Sequence, residues 1–124
     1  MPVILKIDSR RRVVYSTFYG ELTDEELLRH GLTIASDPDF RPDFSEIVDF
    51  SEVTKLSVSD ATLNKMASTP SLYSESVRHI IVASAKESFK LANRYKALTR
   101  KTRPNLFVVR TREQAYDLLK KEQE

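Results

Sequence analysis

The stretch that decides the fold is His79-Ile80-Ile81-Val82-Ala83, followed at once by Ser84-Ala85-Lys86-Glu87. Five nearly unbroken apolar positions are too few for a helix. They suit a strand covered on both faces, as strands of parallel sheets are. Ser84 with Glu87 has the spacing of a capping box, which opens a helix after the strand. That helix is expected to bury Ala85, Leu91, Ala92, Tyr95 and Leu98. Pro104 follows its end, and Leu106-Phe107-Val108-Val109 is a further strand. Thr111-Arg112-Glu113-Gln114 then caps a last helix that buries Ala115, Tyr116, Leu118 and Leu119.

The same alternation extends toward the N-terminus. Val3, Leu5 and Ile7 repeat with period two and predict a first strand. Asp8 to Arg11 is a polar turn, and Val13 to Tyr19 is a β-branched, aromatic second strand ending at Gly20. The short connection implies an antiparallel hairpin. Thr23 and Glu26 form a capping box, with Leu22 and Leu27 as its hydrophobic staple. The helix stripe is Leu27, Leu28, Gly31, Ile34 and Ala35, and Pro38 stops it. Residues 36–45 form a proline-punctuated loop anchored by Phe40 and Phe44. Ile47 to Phe50 is a short third strand, and Ser51 to Ser57 is a loop. Ser59 or Ser57 caps a second helix carrying Leu63, Met66 and Ala67, with Val58 and Leu63 as a staple if Ser59 is the cap. Pro70 to Ser76 links it to the fourth strand. The order is β-β-α-β-α-β-α-β-α. It predicts one α/β domain over residues 1–124, a mixed, mainly parallel five-stranded sheet with four helices.

Composition narrows the chemistry. The chain has 124 residues, 40% hydrophobic and 31% charged, an ordinary globular balance. It has no cysteine, which removes disulfides, thiolate metal sites and a thiol nucleophile. The apolar run Val3-Ile4-Leu5 is too short for a signal-peptide core, and no stretch approaches the ~20 apolar residues of a membrane helix. A cytoplasmic location without a membrane span is expected. Charge is uneven: +3 over residues 1–20, −8 over 21–60, zero over 61–76 and +7 over 77–124. Such asymmetry marks an interaction surface or simply halves that compensate on folding.

Catalytic motifs find little support. Only Gly20 and Gly31 exist, so a P-loop, a dinucleotide fingerprint and a nucleophile elbow are all absent in standard form. His30 and His79 belong to no metal-spaced pair, and read as a helix-surface and a partly buried strand residue. Asp37, Asp39 and Asp43 lack the glycine and terminal glutamate of a calcium loop, and suit turn chemistry beside proline. Glu25 and Glu26 are explained by the helix dipole and cap. No catalytic residue, metal site or cofactor is expected.

Two surfaces remain. Placed at about 100° steps, Lys86, Lys90, Arg94, Arg100 and Lys101 lie opposite the apolar stripe of the third helix, with Lys96 and Arg103 nearby. Glu87 is the only acid between 86 and 103. Such a face attracts acidic partners through long-range electrostatics. No stacking aromatic joins it, since Tyr95 points to the core and Phe89 borders the face, so specific nucleic-acid binding is not expected. The second surface is Ser57, Ser59 and Asp60, at the start of the second helix.

The order of elements resembles the STAS family, the sulfate-transporter and anti-sigma-factor-antagonist domain, and its stand-alone bacterial members above all. The residues that carry the likeness are Gly20 with Thr23 to Leu28, Asp37 to Pro42, Ile47 to Ser51, Ala83-Ser84, and Phe107 to Thr111 with Glu113-Gln114-Ala115. The resemblance implies a regulatory protein-interaction module whose partner is an anti-sigma-type regulator or a second copy of the chain. It also implies a phosphoacceptor serine after the third strand, for which Ser59 is the nearest match. The Asp-Ser and Gly usual at that place are missing from Leu56-Ser57-Val58-Ser59-Asp60-Ala61. A phosphate on Ser59 at a helix N-terminus is expected to be tolerated by the fold. The alternative reading is a carrier of a small apolar ligand or lipid in the cleft between sheet and helices.

Overall fold

The computed structural model describes residues 3–123. The elements run β1 (Val3–Asp8), β2 (Val13–Thr23), α1 (Asp24–Ser36), β3 (Ser45–Ser57), α2 (Asp60–Ser68), β4 (His79–Val82), α3 (Lys86–Leu98), β5 (Leu106–Val109) and α4 (Arg112–Gln123). The sheet order is β1-β2-β3-β4-β5. β1 and β2 pair antiparallel, with Val3 opposite Phe18 and Asp8 opposite Val13. All other neighbours are parallel. The predicted α/β class and element order are therefore those observed.

Each crossover moves to the next strand in the same direction. Right-handed connections of that kind place their helices on one face of the sheet. Phe18, Leu22, Phe50, Ile81, Ala83 and Leu106 on that face pack with Ala92, Phe89 and Tyr95 of α3 and Leu27 of α1. Val14 joins Ile34, Phe44 and Phe40 in a neighbouring cluster, so both phenylalanines of the 36–45 loop act as anchors. The opposite face carries Val13, Ile47, Ile80 and Val82, covered by Ala115 and Leu119 of α4. β4 is buried at all of its positions because helices lie on both sides of it. Phe18 is 1% exposed at the centre, and truncating it to Ala is expected to cost about 3–5 kcal/mol.

Several boundaries differ from the sequence expectation. β2 does not end at Gly20. It continues to Thr23, with irregular pairing between Thr17 and Tyr19 and between Gly20 and Glu21. Gly20 has φ +68°, a value favoured by glycine, and this lets the strand bend and go on. The segment Ser51 to Ser57 is strand rather than loop, paired to the extension of β2 from Tyr19 opposite Glu52 to Thr23 opposite Ser57. β2 and β3 thus project as a two-stranded ribbon past β4 and β5. Neither strand alternates cleanly in this part, which hides it from a period-two reading.

Two helices also differ. In α1 the buried residues are His30 and Ile34, while Leu28 and Ala35 are exposed. In α3 the N-cap position is Ala85, with no side-chain cap, so the Ser84–Glu87 box does not form. Its inward face is Ser88, Phe89, Ala92 and Tyr95, and Ala85 and Leu98 are exposed. Tyr116 in α4 is exposed too. The Thr111 box does form: Gln114 N–H donates to Thr111 Oγ1 at 3.1 Å, and Thr111 N–H donates to Gln114 Oε1 at 3.3 Å.

Candidate functional site

The β2–β3 ribbon ends where α1 and α2 both begin, and this brings three sequence candidates together. Thr23 caps α1, accepting from Glu26 N–H at 3.3 Å. Ser59 caps α2, accepting from Thr62 N–H at 3.2 Å. Between the two helix ends stands Asp24. Its Oδ1 accepts from Ser59 N–H at 2.7 Å and its Oδ2 accepts from the Ser59 hydroxyl at 2.8 Å. These bonds to the charged form hold the Asp24 carboxyl below the usual carboxylate range. Ser57 donates to Glu21 Oε2 at 2.7 Å, across the two strands of the ribbon. Ser59 and the Asp60 that follows it are exposed, and Thr23 is half-buried.

Asp60 faces the other way, toward α3. Arg94 Nη1 donates to its Oδ1 at 2.7 Å. The ion pair joins the serine-capped end of α2 to the cationic face of α3. Along that face Lys86 and Lys90 are exposed and make no ion pair among the described residues. Arg100 and Lys101 do not belong to it. α3 ends at Leu98, and both residues lie in the turn beyond, so projecting them as if the helix continued misplaces them. The helix ends there at Thr99, fully buried, whose backbone at φ −108° and ψ 12° leaves helical geometry while its N–H still donates to Tyr95 O at 3.0 Å and its hydroxyl to the same oxygen at 2.8 Å.

The two histidines are inside the protein. His30 is on the buried face of α1, with Nε2 2.6 Å from the Ser16 hydroxyl and its ring edge-on to Phe18. Burial lowers its pKa, opposed by the charge of Glu46, and its Nδ1 is buried without a partner. A serine and histidine in contact suggest a nucleophile and base, but Ser16 is 1% exposed and enclosed by the core. His79 Nδ1 lies 2.8 Å from Glu46 Oε1. Burial pushes the Glu46 carboxyl up, but the hydrogen bond and charge of His79 outweigh this and hold it below its ordinary value. Tyr73 stacks edge-on against both Phe40 and His79, and burial beside Glu46 pushes its hydroxyl far up. These residues form a core polar cluster.

Asp49, which the sequence reading did not single out, is 3% exposed on the α4 face. It is ion-paired with Arg112 Nε and accepts from Ser51 N–H at 2.8 Å and the Ser51 hydroxyl at 2.6 Å. The pair ties the first residue of α4 to the middle of the sheet. A charged residue within the otherwise apolar run Ile47 to Phe50 was the available signal. The acidic loop residues have local roles: Asp37 Oδ1 accepts from Asp39 N–H at 2.9 Å, and Asp43 pairs with Arg12. Glu25 pairs with Arg29 one turn on. The space between the sheet and α1–α3, where an apolar ligand was considered, is filled by Phe18, Leu22, Phe50 and Ile81. No described helix is long and apolar enough to cross a membrane. Neither a family model nor a curated protein matches the chain.

Proposed function

We propose that this chain is a non-enzymatic regulatory module that binds a protein partner through one surface. That surface comprises Ser57, Ser59 and Asp60 at the start of α2 together with Lys86, Lys90 and Arg94 of α3. The observation that carries the reading is the Arg94–Asp60 ion pair at 2.7 Å, which makes one continuous exposed surface of two separate sequence features. Its cationic half favours a partner with an acidic contact patch, because complementary charge raises the encounter rate. The partner class suggested by the STAS-like order of elements is an anti-sigma-type regulator, with a second copy of this chain as the other occupant.

The Ser59 hydroxyl is the regulatory point of this proposal. A phosphate there would lose the donor that binds Asp24 and set a dianion against that carboxylate. The positive end of α2 favours the phosphate, while Asp24 opposes it. Modification therefore loosens the α1–α2 clamp and changes the partner surface in one step. The test is affinity capture of a purified anti-sigma-type regulator by wild type, Ser59→Asp and Lys86→Glu/Lys90→Glu, alongside size-exclusion chromatography of each. Capture weakened by both variants, with circular dichroism unchanged, supports the surface. Equal capture by all of them, with the same elution volume, removes it.

A further inference from the structure

A cavity of about 300 Å³ opens at the far end of α3, lined by Asn93, Lys96, Ala97, Arg100, Arg103, Pro104 and Leu106. Its floor is Leu106, 3% exposed at the start of β5. Three cations and no Asp or Glu line it. Lys96 and Arg100 make no ion pair among the described residues. Arg103 is oriented by neutral groups alone: Nη2 donates to Thr69 O at 3.1 Å, Nη1 donates to Thr102 Oγ1 at 3.4 Å, and the guanidinium carbon sits 5.6 Å from the centre of the Tyr95 ring.

Basic residues at a helix C-terminus often serve its dipole and its free carbonyls. That explanation covers little here. The Tyr95 and Lys96 carbonyls already accept from Thr99, and the Thr99 carbonyl accepts from Arg103 N–H at 2.7 Å. Three like charges held around one recess repel each other without an anion between them. A positioned guanidinium with unused donors is suited to the planar, forked recognition of phosphate.

We infer that this cavity is a binding site for a small phosphate monoester. Arg103 and Arg100 hold the phosphate, Lys96 adds charge, and Ala97, Pro104 and Leu106 contact the carbon portion. The cavity lies at the C-terminal end of α3, shares no lining residue with the proposed partner surface and does not depend on that proposal. Its volume is at the lower end for ligand sites, which selects a molecule of few heavy atoms or a headgroup.

The test is a titration of the ¹⁵N-labelled full chain with glycerol 3-phosphate, against sodium chloride at matched ionic strength. In parallel, the protein is sedimented with phosphatidylcholine vesicles with and without phosphatidic acid. Expected are saturable shifts centred on residues 93–106, or sedimentation only with phosphatidic acid; which arm responds identifies a free ester or a lipid headgroup. Arg100 is exposed, so Arg100→Ala is expected to leave the fold intact, and Arg103→Lys keeps the charge but loses the fork. Each is expected to weaken binding about tenfold, the value of one charged donor. No response in either arm overturns the inference. So do shifts reproduced by sodium chloride, or binding unchanged in both variants.

Discussion

Replacing Arg112 by Met keeps most of the side-chain stem and removes the guanidinium from Asp49. Breaking a fully buried ion pair from one side costs about 3–5 kcal/mol, because the remaining charge is left without a partner. Here the Arg112 side chain is 48% exposed, so water takes over part of its role. Ser51 also keeps its two hydrogen bonds to Asp49 Oδ1. Together these bring the expected loss to about 2 kcal/mol. With a urea slope of about 1.5 kcal/mol/M for a chain of this size, the unfolding midpoint falls by about 1.3 M. The diagnostic measurement is the double-mutant cycle with Asp49→Asn. If Arg112 acts by neutralising Asp49, Arg112→Met costs little once Asp49 carries no charge. A midpoint within ~0.3 M of wild type refutes the assigned magnitude. An equal drop with and without Asp49→Asn refutes the assigned partner, and Arg112 then acts through packing of α4 alone.

Four shorter predictions follow from other parts of the molecule. Thr23→Ala and Ser59→Ala should each cost about 1 kcal/mol in urea unfolding, whereas Ser84→Ala should be neutral because no side chain caps α3; a loss at Ser84 would show a box that does form. Gly20→Ala should cost about 1 kcal/mol although no atom lies within 4 Å of the added Cβ, since the penalty comes from φ +68°; calorimetric melting at an unchanged temperature would contradict this. Stability should fall on acidification. The folded pKa of His30 is depressed, so the unfolded chain takes up a proton below about pH 6.5 that the folded chain refuses. Glu46 is also depressed, and its contribution is present above its unfolded value of about 4.3 and lost as pH falls through the folded one. His30→Gln should flatten the slope between about pH 7 and 5, and an unaltered slope in denaturant series across that range would exclude His30 as its origin. Finally, any binding of duplex DNA should vanish steeply with added salt and show no sequence preference, as counterion release requires; tight binding at ~0.5 M salt in a fluorescence-anisotropy titration would contradict an electrostatic origin.

How far the sequence could be read depended on whether local pattern and tertiary environment agreed. β4 and β5 are both legible because packing against helices on two faces writes an apolar run into the chain, complete in His79–Val82 and partial in the edge strand Leu106–Val109, where only Leu106 is fully buried. The Thr111 and Ser59 caps were legible because a cap is a contact between residues three apart. Ser84 has the same spacing but fails, since α3 begins one residue later and Ala85, which has no side-chain acceptor, occupies the cap. His30 was misread because a polar residue on a helix looks solvent-facing until its partner, Ser16 on another strand, is known. The candidate site was legible as two fragments, a serine-rich loop and a run of cations, and not as one surface.

By itself, then, the chain determined its class, its element order and most of its caps, since these depend on periodicity and on neighbours within one turn of each other. The tertiary structure decided the rest. It set the strand order β1-β2-β3-β4-β5, carried β2 and β3 past the sheet as a ribbon, and ended α3 before Arg100. It paired Asp49 with Arg112 and Asp60 with Arg94 across long stretches of chain. The physical reason is the same in each case. These outcomes depend on which charged or apolar groups meet after packing, and residues 34 or 63 positions apart leave no periodic trace of their meeting in the sequence.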